Sequence, residues 1–303
     1  AKYRHMSVEE SELNGLPCVT LTHSSGASAL VFVYAAHLTS WKTSTGDEQL
    51  FVSSTADYGG GKAIRGGIPV CWPQFADRGP YGKHGFARNS DKWTVVRTST
   101  EPYPCVVLGL KEDEATLAAF PFPFELRYSV TLDGPDSVSV SLTVINTGEQ
   151  QLEFTTALHT YFRVPKVGDI QLLGLQGLKY EDSTKARELA VQEEEELAIV
   201  GEVDRVYFDA PPEAFIIDKT TDSALKILKM GFADAVVWNI GAERAGGLKD
   251  LTPGEWENYV CYEAATIGSP AKLAPKASWV AGQTFTKMPL SALSSLTAAT
   301  CAK

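Results

Sequence analysis

The sequence predicts an all-β fold of antiparallel strands with few short helices, and three observations carry that prediction. From Phe124 to Phe162, apolar side chains alternate with polar ones, the period-two pattern of strands with one buried face. Turn signals at Asp133-Gly134-Pro135-Asp136 and Asn146-Thr147-Gly148 divide that stretch into a meander. No segment shows a convincing amphipathic helix of ordinary length, and no internal repeat is visible. The simplest architecture is one β-sandwich domain over residues 1–303, a length that such sandwiches can fill.

Taken in order, Cys18 to Thr22 reads as a strand that ends at the turn signal His23-Ser24-Ser25-Gly26. Ser28 to Tyr34, Leu38 to Trp41 and, after a Gly46-Asp47 turn, Gln49 to Ser53 continue as extended chain. Residues 58–91 differ: they are dense in Gly and Pro and have little periodicity. A stretch of this kind inside a compact domain is usually a functional loop. Its Ile64, Ile68, Val70, Trp72 and Phe75 argue against a linker, which would be polar or of low complexity. Next come the alternating strands Phe124 to Leu132, Val138 to Val144 and Leu152 to Phe162. The acidic run Glu193 to Glu196, within residues 181–205, reads as a solvated loop or short helix. Leu225 to Leu228, Ala235 to Asn239, Tyr259 to Ala265 and Ser278 to Phe285 complete the strands, and the tail Ser291 to Lys303 reads as a short helix or frayed end.

Apolar residues make up 44% of the chain, enough for a substantial core, and the formal net charge is −10. That charge argues against nucleic-acid or membrane-surface binding, although a local Arg cluster could still hold a small anion. The cysteines Cys18, Cys71, Cys105, Cys261 and Cys301 show neither zinc spacing nor a redox CxxC pair. They read as reduced and mostly buried, which favours the cytoplasm. No apolar run approaches a membrane span, and Ala1 to Met6 lacks signal-peptide character.

The residues that could carry chemistry are few. Glu263 stands mid-strand among aromatic, apolar and small neighbours, where a carboxylate is costly unless it is solvated, paired or facing a cleft. Read as one strand, Glu153 to Arg163 puts Leu152, Phe154, Leu158 and Phe162 on one face and His159 on the other. His159 is thus either a structural histidine or a group placed for proton exchange near neutral pH. The Gly-rich loop supplies Arg65 before Gly66-Gly67, then Lys83, His84 and Arg88. These cations are surface charges or an anion clamp. Asp204, flanked by apolar residues, is a lone acid that could pair with a base. GxSxG, HExxH, GxGxxG and the P-loop are all absent. What remains suits proton transfer on a polyhydroxy or phosphorylated small molecule.

Five motifs, in order, resemble those of the hexose-6-phosphate mutarotases, also called glucose-6-phosphate 1-epimerases. They are Lys62-Ala63-Ile64-Arg65-Gly66-Gly67-Ile68-Pro69 with Trp72-Pro73-Gln74-Phe75; His84-Gly85-Phe86-Ala87-Arg88; Ala157-Leu158-His159-Thr160-Tyr161-Phe162; Asp204-Arg205-Val206-Tyr207; and Val260-Cys261-Tyr262-Glu263. The likeness runs from about Leu13 to Thr286. It implies the galactose-mutarotase-like antiparallel β-supersandwich and interconversion of the anomers of an aldohexose 6-phosphate, without metal or other cofactor. It implies Glu263 as general base at the C1 hydroxyl and His159 as general acid at the ring oxygen. It also implies His84 and Asp204 on the sugar and Arg65 and Arg88 on the phosphate. The chain departs from the family pattern at Lys83, where glutamine is expected, and Lys83 becomes a candidate substrate contact. The expected partner is a small sugar phosphate, and nothing demands an oligomer. Two alternatives stand beside this reading: an aldose 1-epimerase of free sugars and a non-catalytic carbohydrate-binding protein on the same fold.

Overall fold

The structure, a computed structural model, describes residues 5–293 and consists mainly of three antiparallel sheets. A four-stranded sheet is formed by Ser7–Leu13, Leu16–Thr22, Ser28–Phe32 and His37–Lys42 in sequence order. A nine-stranded sheet has Ser223–Met230, Ser278–Pro289, Ser137–Asn146 and Phe124–Gly134 at its centre. An eight-stranded sheet runs through Glu188–Val191, Lys179–Asp182, Val203–Tyr207, Asp234–Asn239, Tyr259–Leu273, Leu152–Leu158 and Val70–Cys71. Tyr161–Arg163 also pairs with Tyr259–Leu273. The α-helical stretches among the described residues are short, Glu114–Ala119, Gly241–Ala245 and residues 290–293, and no helix is long and apolar enough to cross a membrane.

The alternation seen in the sequence becomes burial. Along Phe124–Gly134, Phe124, Leu126, Tyr128, Val130 and Leu132 are buried and the residues between them are more exposed. Ser137–Asn146 repeats the pattern in register, with Val130 opposite Val140 and Leu126 opposite Val144. These side chains enter the largest apolar cluster, which also takes Val260, Tyr262 and Ala264 from the eight-stranded sheet. Each fully buried side chain of this size contributes roughly 1.5–3 kcal/mol by the hydrophobic effect.

From Tyr259 to Ile267, strand Tyr259–Leu273 is buried on both faces. Its Tyr259, Cys261, Ala265 and Ile267 belong to two smaller clusters on the side away from the main core. Glu263 shares that second face by period two.

The structure differs from the sequence expectations at several places. Gln49 to Ser53 makes only isolated bridges, Leu50 to Phe162 and Val52 to Gly66, because its pairing alternates with loop backbone. The stretch from Leu152 to Phe162 is interrupted at His159 and Thr160, whose amides bond to Pro69 O and Leu158 O. The Gly/Pro-rich segment contains a buried two-residue strand, Val70–Cys71, paired with Ala157 and Leu158. The acidic run lies between two short strands, Glu188–Val191 and Leu197–Ala198. Most of the tail from Ser291, including Cys301, lies outside the described residues.

Candidate active site

A cavity of about 520 Å³ opens on the second face of the eight-stranded sheet. Its floor is set by strand register. Leu158 pairs with Ala264 and Tyr161 with Cys261. The same register carried through the break sets His159 directly across from Glu263. On the other side, Glu263 pairs with Val236, and Asp204 pairs with Trp238. Directly opposed residues share a face, so three sequence-distant segments bring His159, Glu263 and Asp204 to one surface.

Glu263 is 1% exposed and His159 is 8% exposed. His159 Nδ1 lies 3.3 Å from Glu263 Oε1. The two are not aligned as a hydrogen bond, and both Nδ1 and Glu263 Oε2 are buried without a partner. Burial raises the Glu263 pKa well above the usual carboxylate range, with nearby Asp204 adding to the rise and Arg88 opposing it. Burial lowers the His159 pKa well below the usual imidazole value, and His84, Arg88 and Arg65 push the same way. The distance is in the range of an ion pair, but desolvation favours the neutral form of each group. Both shifts act against the charge-separated pair and favour one transferable proton resting on the carboxyl beside a neutral imidazole.

The long loop forms one wall. Gly66 and Gly67 adopt φ of 119° and 60°, and a Cβ on them would lie 2.2 Å from Phe51 O and 2.4 Å from Leu38 O. Glycine alone allows Arg65 to enter the site at this crossing. Gly85, at φ 65°, would place a Cβ 2.0 Å from Trp72 O. It follows His84, whose Nδ1 accepts from the Ala76 amide at 3.3 Å. That bond leaves the proton on Nε2. Burial, with Arg88, Lys83 and Arg65, lowers the His84 pKa to about 3. Gln74, 1% exposed, ties the loop together through Ala76 O, Tyr81 O and the Tyr81 amide.

All seven sequence-predicted residues, Arg65, Lys83, His84, Arg88, His159, Asp204 and Glu263, line this cavity. Arg65 is already engaged: Nη2 lies 3.1 Å from an Asp250 carboxylate oxygen, and Nη1 donates to the Tyr161 hydroxyl at 3.3 Å. Asp204 forms no ion pair among the described residues, and burial raises its pKa while the Ser183 side chain hydrogen-bonds it and opposes the rise.

The cavity also takes residues that sequence reasoning missed: Arg78, Arg187, Arg244, Tyr161 and Trp238. Arg78 pairs with Glu181 at 2.5 Å, Arg187 with Asp77 at 2.5 Å, and Arg244 with Glu202. Arg187 comes from residues 181–205, whose acidic run reads as a solvated loop or short helix. Trp238 was reachable by period two, since it lies two residues from Val236 on a recognised strand. Among the described residues, Lys83 and Arg88 are the cavity-lining cations without a carboxylate in ion-pair range.

The aldose 1-epimerase family profile matches residues 17–286. A Cenchrus ciliaris protein named "Putative glucose-6-phosphate 1-epimerase" is 34% identical over 275 residues, covering 88% of this chain and 83% of the relative. An Escherichia coli K12 protein of the same name is 28% identical over 266 residues, covering 86% and 87%. Among solved structures, a mutarotase-like protein of Salmonella typhimurium, described as "a putative mutarotase (YeaD)", superposes with a TM-score of 0.85 at 24% identity, covering 93% of this chain and 94% of that one. That likeness shows the sandwich fold, while the profile match and the 34% identical relative establish the lineage: the chain belongs to the aldose 1-epimerase family.

Proposed function

We propose that this chain interconverts the α and β anomers of an aldohexose 6-phosphate, with glucose 6-phosphate as the substrate indicated by the names of its relatives. One observation carries the reading: a carboxyl–imidazole pair 3.3 Å apart on the cavity floor, beside a wall holding the unpaired cations Lys83 and Arg88. The cavity volume lies in the range of small-molecule sites.

Ring opening needs a proton removed from the C1 hydroxyl and a proton given to the ring oxygen. Glu263 is the base and His159 the acid. The pair needs one transferable proton between its two groups, and the directions of both pKa shifts favour its resting on Glu263. Moving that proton from Glu263 to His159 gives carboxylate and imidazolium, the competent tautomer, without exchange with solvent. Glu263 then takes the C1 proton as His159 protonates the ring oxygen, and the C1–O5 bond breaks to give the open-chain aldehyde. Rotation about C1–C2 and the reverse transfers close the other anomer. A high carboxyl pKa makes Glu263 a stronger base once ionised, and a low imidazole pKa makes His159 a stronger acid once protonated.

His84, held as the Nε2–H tautomer and kept neutral, acts as a hydrogen-bond donor to the sugar and not as a proton carrier. Asp204 accepts from sugar hydroxyls. Arg88 and Lys83 seat the phosphate, with Arg65 at the edge of that seat because Asp250 already holds it. The two long sheets share one core cluster, which supports reading the chain as one domain. The free cysteines Cys18, Cys71, Cys105 and Cys261 suit a cytoplasmic setting.

The test compares anomer exchange of α-glucose and α-glucose 6-phosphate by NMR saturation transfer. We expect kcat/KM to favour the phosphorylated sugar by at least about tenfold, the weight of one charge-assisted contact. A preference for free glucose would refute the phosphate assignment.

A further inference from the structure

Tyr161 stands between the acid of the cavity floor and a cation of its wall, and no step above uses it. Its ring lies parallel to the His159 ring, with centroids 4.8 Å apart and 8° between planes. Trp238 stands nearly perpendicular to both rings, with centroids 5.5 Å from His159 and 5.8 Å from Tyr161. No hydrogen bond fixes His159 Nδ1, so ring packing is what orients the imidazole there. The Tyr161 hydroxyl accepts from Arg65 Nη1 at 3.3 Å, while Arg65 Nε and Nη2 donate to Asp250. Tyr161 is itself enclosed: it is 3% exposed and paired in register with Cys261.

A tyrosine that only filled space would do no more than phenylalanine. Here the ring and the hydroxyl face different groups. We infer that Tyr161 is a dual positioning residue, whose ring aims the His159 imidazole at the ring oxygen and whose hydroxyl aims the Arg65 guanidinium at the substrate anion. This rests on the sugar-phosphate reading of the site only for the hydroxyl half.

The two halves separate by substitution. Tyr161→Phe keeps the stack and removes the acceptor. Tyr161→Leu removes both. In Tyr161→Phe, kcat on glucose 6-phosphate stays within about twofold of wild type. Its KM rises about threefold to tenfold, the range of a single lost hydrogen bond, and KM for free glucose is unchanged. In Tyr161→Leu, kcat falls a further tenfold or more on both sugars, as expected when a positioned acid is misaligned.

Kinetic constants are measured by NMR exchange, and folding is checked by thermal melting. A structural role alone would move kcat and KM together in both variants, and that result overturns the inference. So does a Tyr161→Phe enzyme with wild-type constants on both sugars. If Tyr161→Leu does not fold, the Tyr161→Phe split between KM and kcat still decides the hydroxyl half. A second ring-deleting variant, Tyr161→Met, then decides the ring half: wild-type kcat on both sugars would refute orientation by stacking. Wild-type preference for free glucose would refute the phosphate reading separately, and the kcat comparison on free glucose would still test the ring.

Discussion

Replacing Glu263 by glutamine isolates the base while sparing the fold. The substitution keeps the side-chain volume on a strand buried on both faces. Burial already favours the neutral carboxyl, so a neutral amide does not introduce a new buried charge. The unpartnered Oε2 has no hydrogen bond to lose. The melting temperature is therefore expected to stay within a few degrees of wild type. Catalysis should suffer far more, because an amide cannot accept the C1 proton and also removes the proton that His159 must receive. A positioned base contributes about 10²–10⁴-fold, or roughly 3–5 kcal/mol of barrier. Glu263→Asp gives the graded control: it keeps a carboxylate but withdraws it by one methylene, and misplacement on the order of 1 Å can cost about 10²-fold. Anomer exchange of glucose 6-phosphate by NMR saturation transfer, corrected for spontaneous mutarotation, gives kcat. A folded Glu263→Gln enzyme with wild-type exchange would show that Glu263 is not the base.

Arg88→Ala should raise KM for glucose 6-phosphate about tenfold to a hundredfold, the weight of a charge-assisted hydrogen bond, and leave KM for free glucose nearly unchanged. Equal effects on both sugars, measured side by side, would remove Arg88 from the phosphate seat. A pH prediction comes from His37, which is fully buried beneath the Gly66-Gly67 crossing, with Nε2 2.7 Å from Gly66 O. Burial lowers its pKa from 6.5 to about 4. The unfolded chain binds this proton below pH 6.5 and the folded protein does not until about pH 4, so the contribution to stability is present above 6.5 and lost as pH falls through that window. The loss amounts to about 3 kcal/mol by pH 4. Urea unfolding at pH 7 and pH 4 should show that His37→Gln is about 3 kcal/mol less acid-sensitive than wild type, and identical pH dependence in the two proteins would refute it.

Much of the fold was legible because its strands keep one face in the core. Phe124 to Leu132 and Val138 to Val144 announce themselves by alternation, and the structure buries that alternation residue for residue. Legibility fails where a strand has no polar face or too little length. Val70–Cys71 is buried on both sides and spans two residues, so it shows no period. Ile170–Leu173 and Lys179–Asp182 are four residues each, short enough for turn and charge content to hide them. The break at His159 and Thr160 was invisible because the register on both sides of it is the same, and the period therefore continues.

The site was legible in its residues but not in its pairings, and the difference has a physical cause. Side-chain identity and strand parity are local, and they suffice to put His159, Glu263 and Asp204 on cavity-facing positions once the strands are known. Which cation is free is decided by carboxylates far away in sequence. Arg65 reads as an anion clamp until Asp250 is found 3.1 Å from it, and Arg78 is bound by Glu181 at 2.5 Å. In a chain of net charge −10 most arginines near a cleft will find an acid, so an unpaired one is more informative than a conspicuous motif. By that criterion the proposed phosphate seat centres on Arg88 and Lys83, with Arg65 at its edge. In the proposed reading Lys83, where the resemblance implies glutamine, contributes to substrate binding. It stands exposed at the cavity wall, and its ammonium has no ion-pair partner among the described residues. A glutamine there could donate hydrogen bonds to a phosphate but could not neutralise its charge.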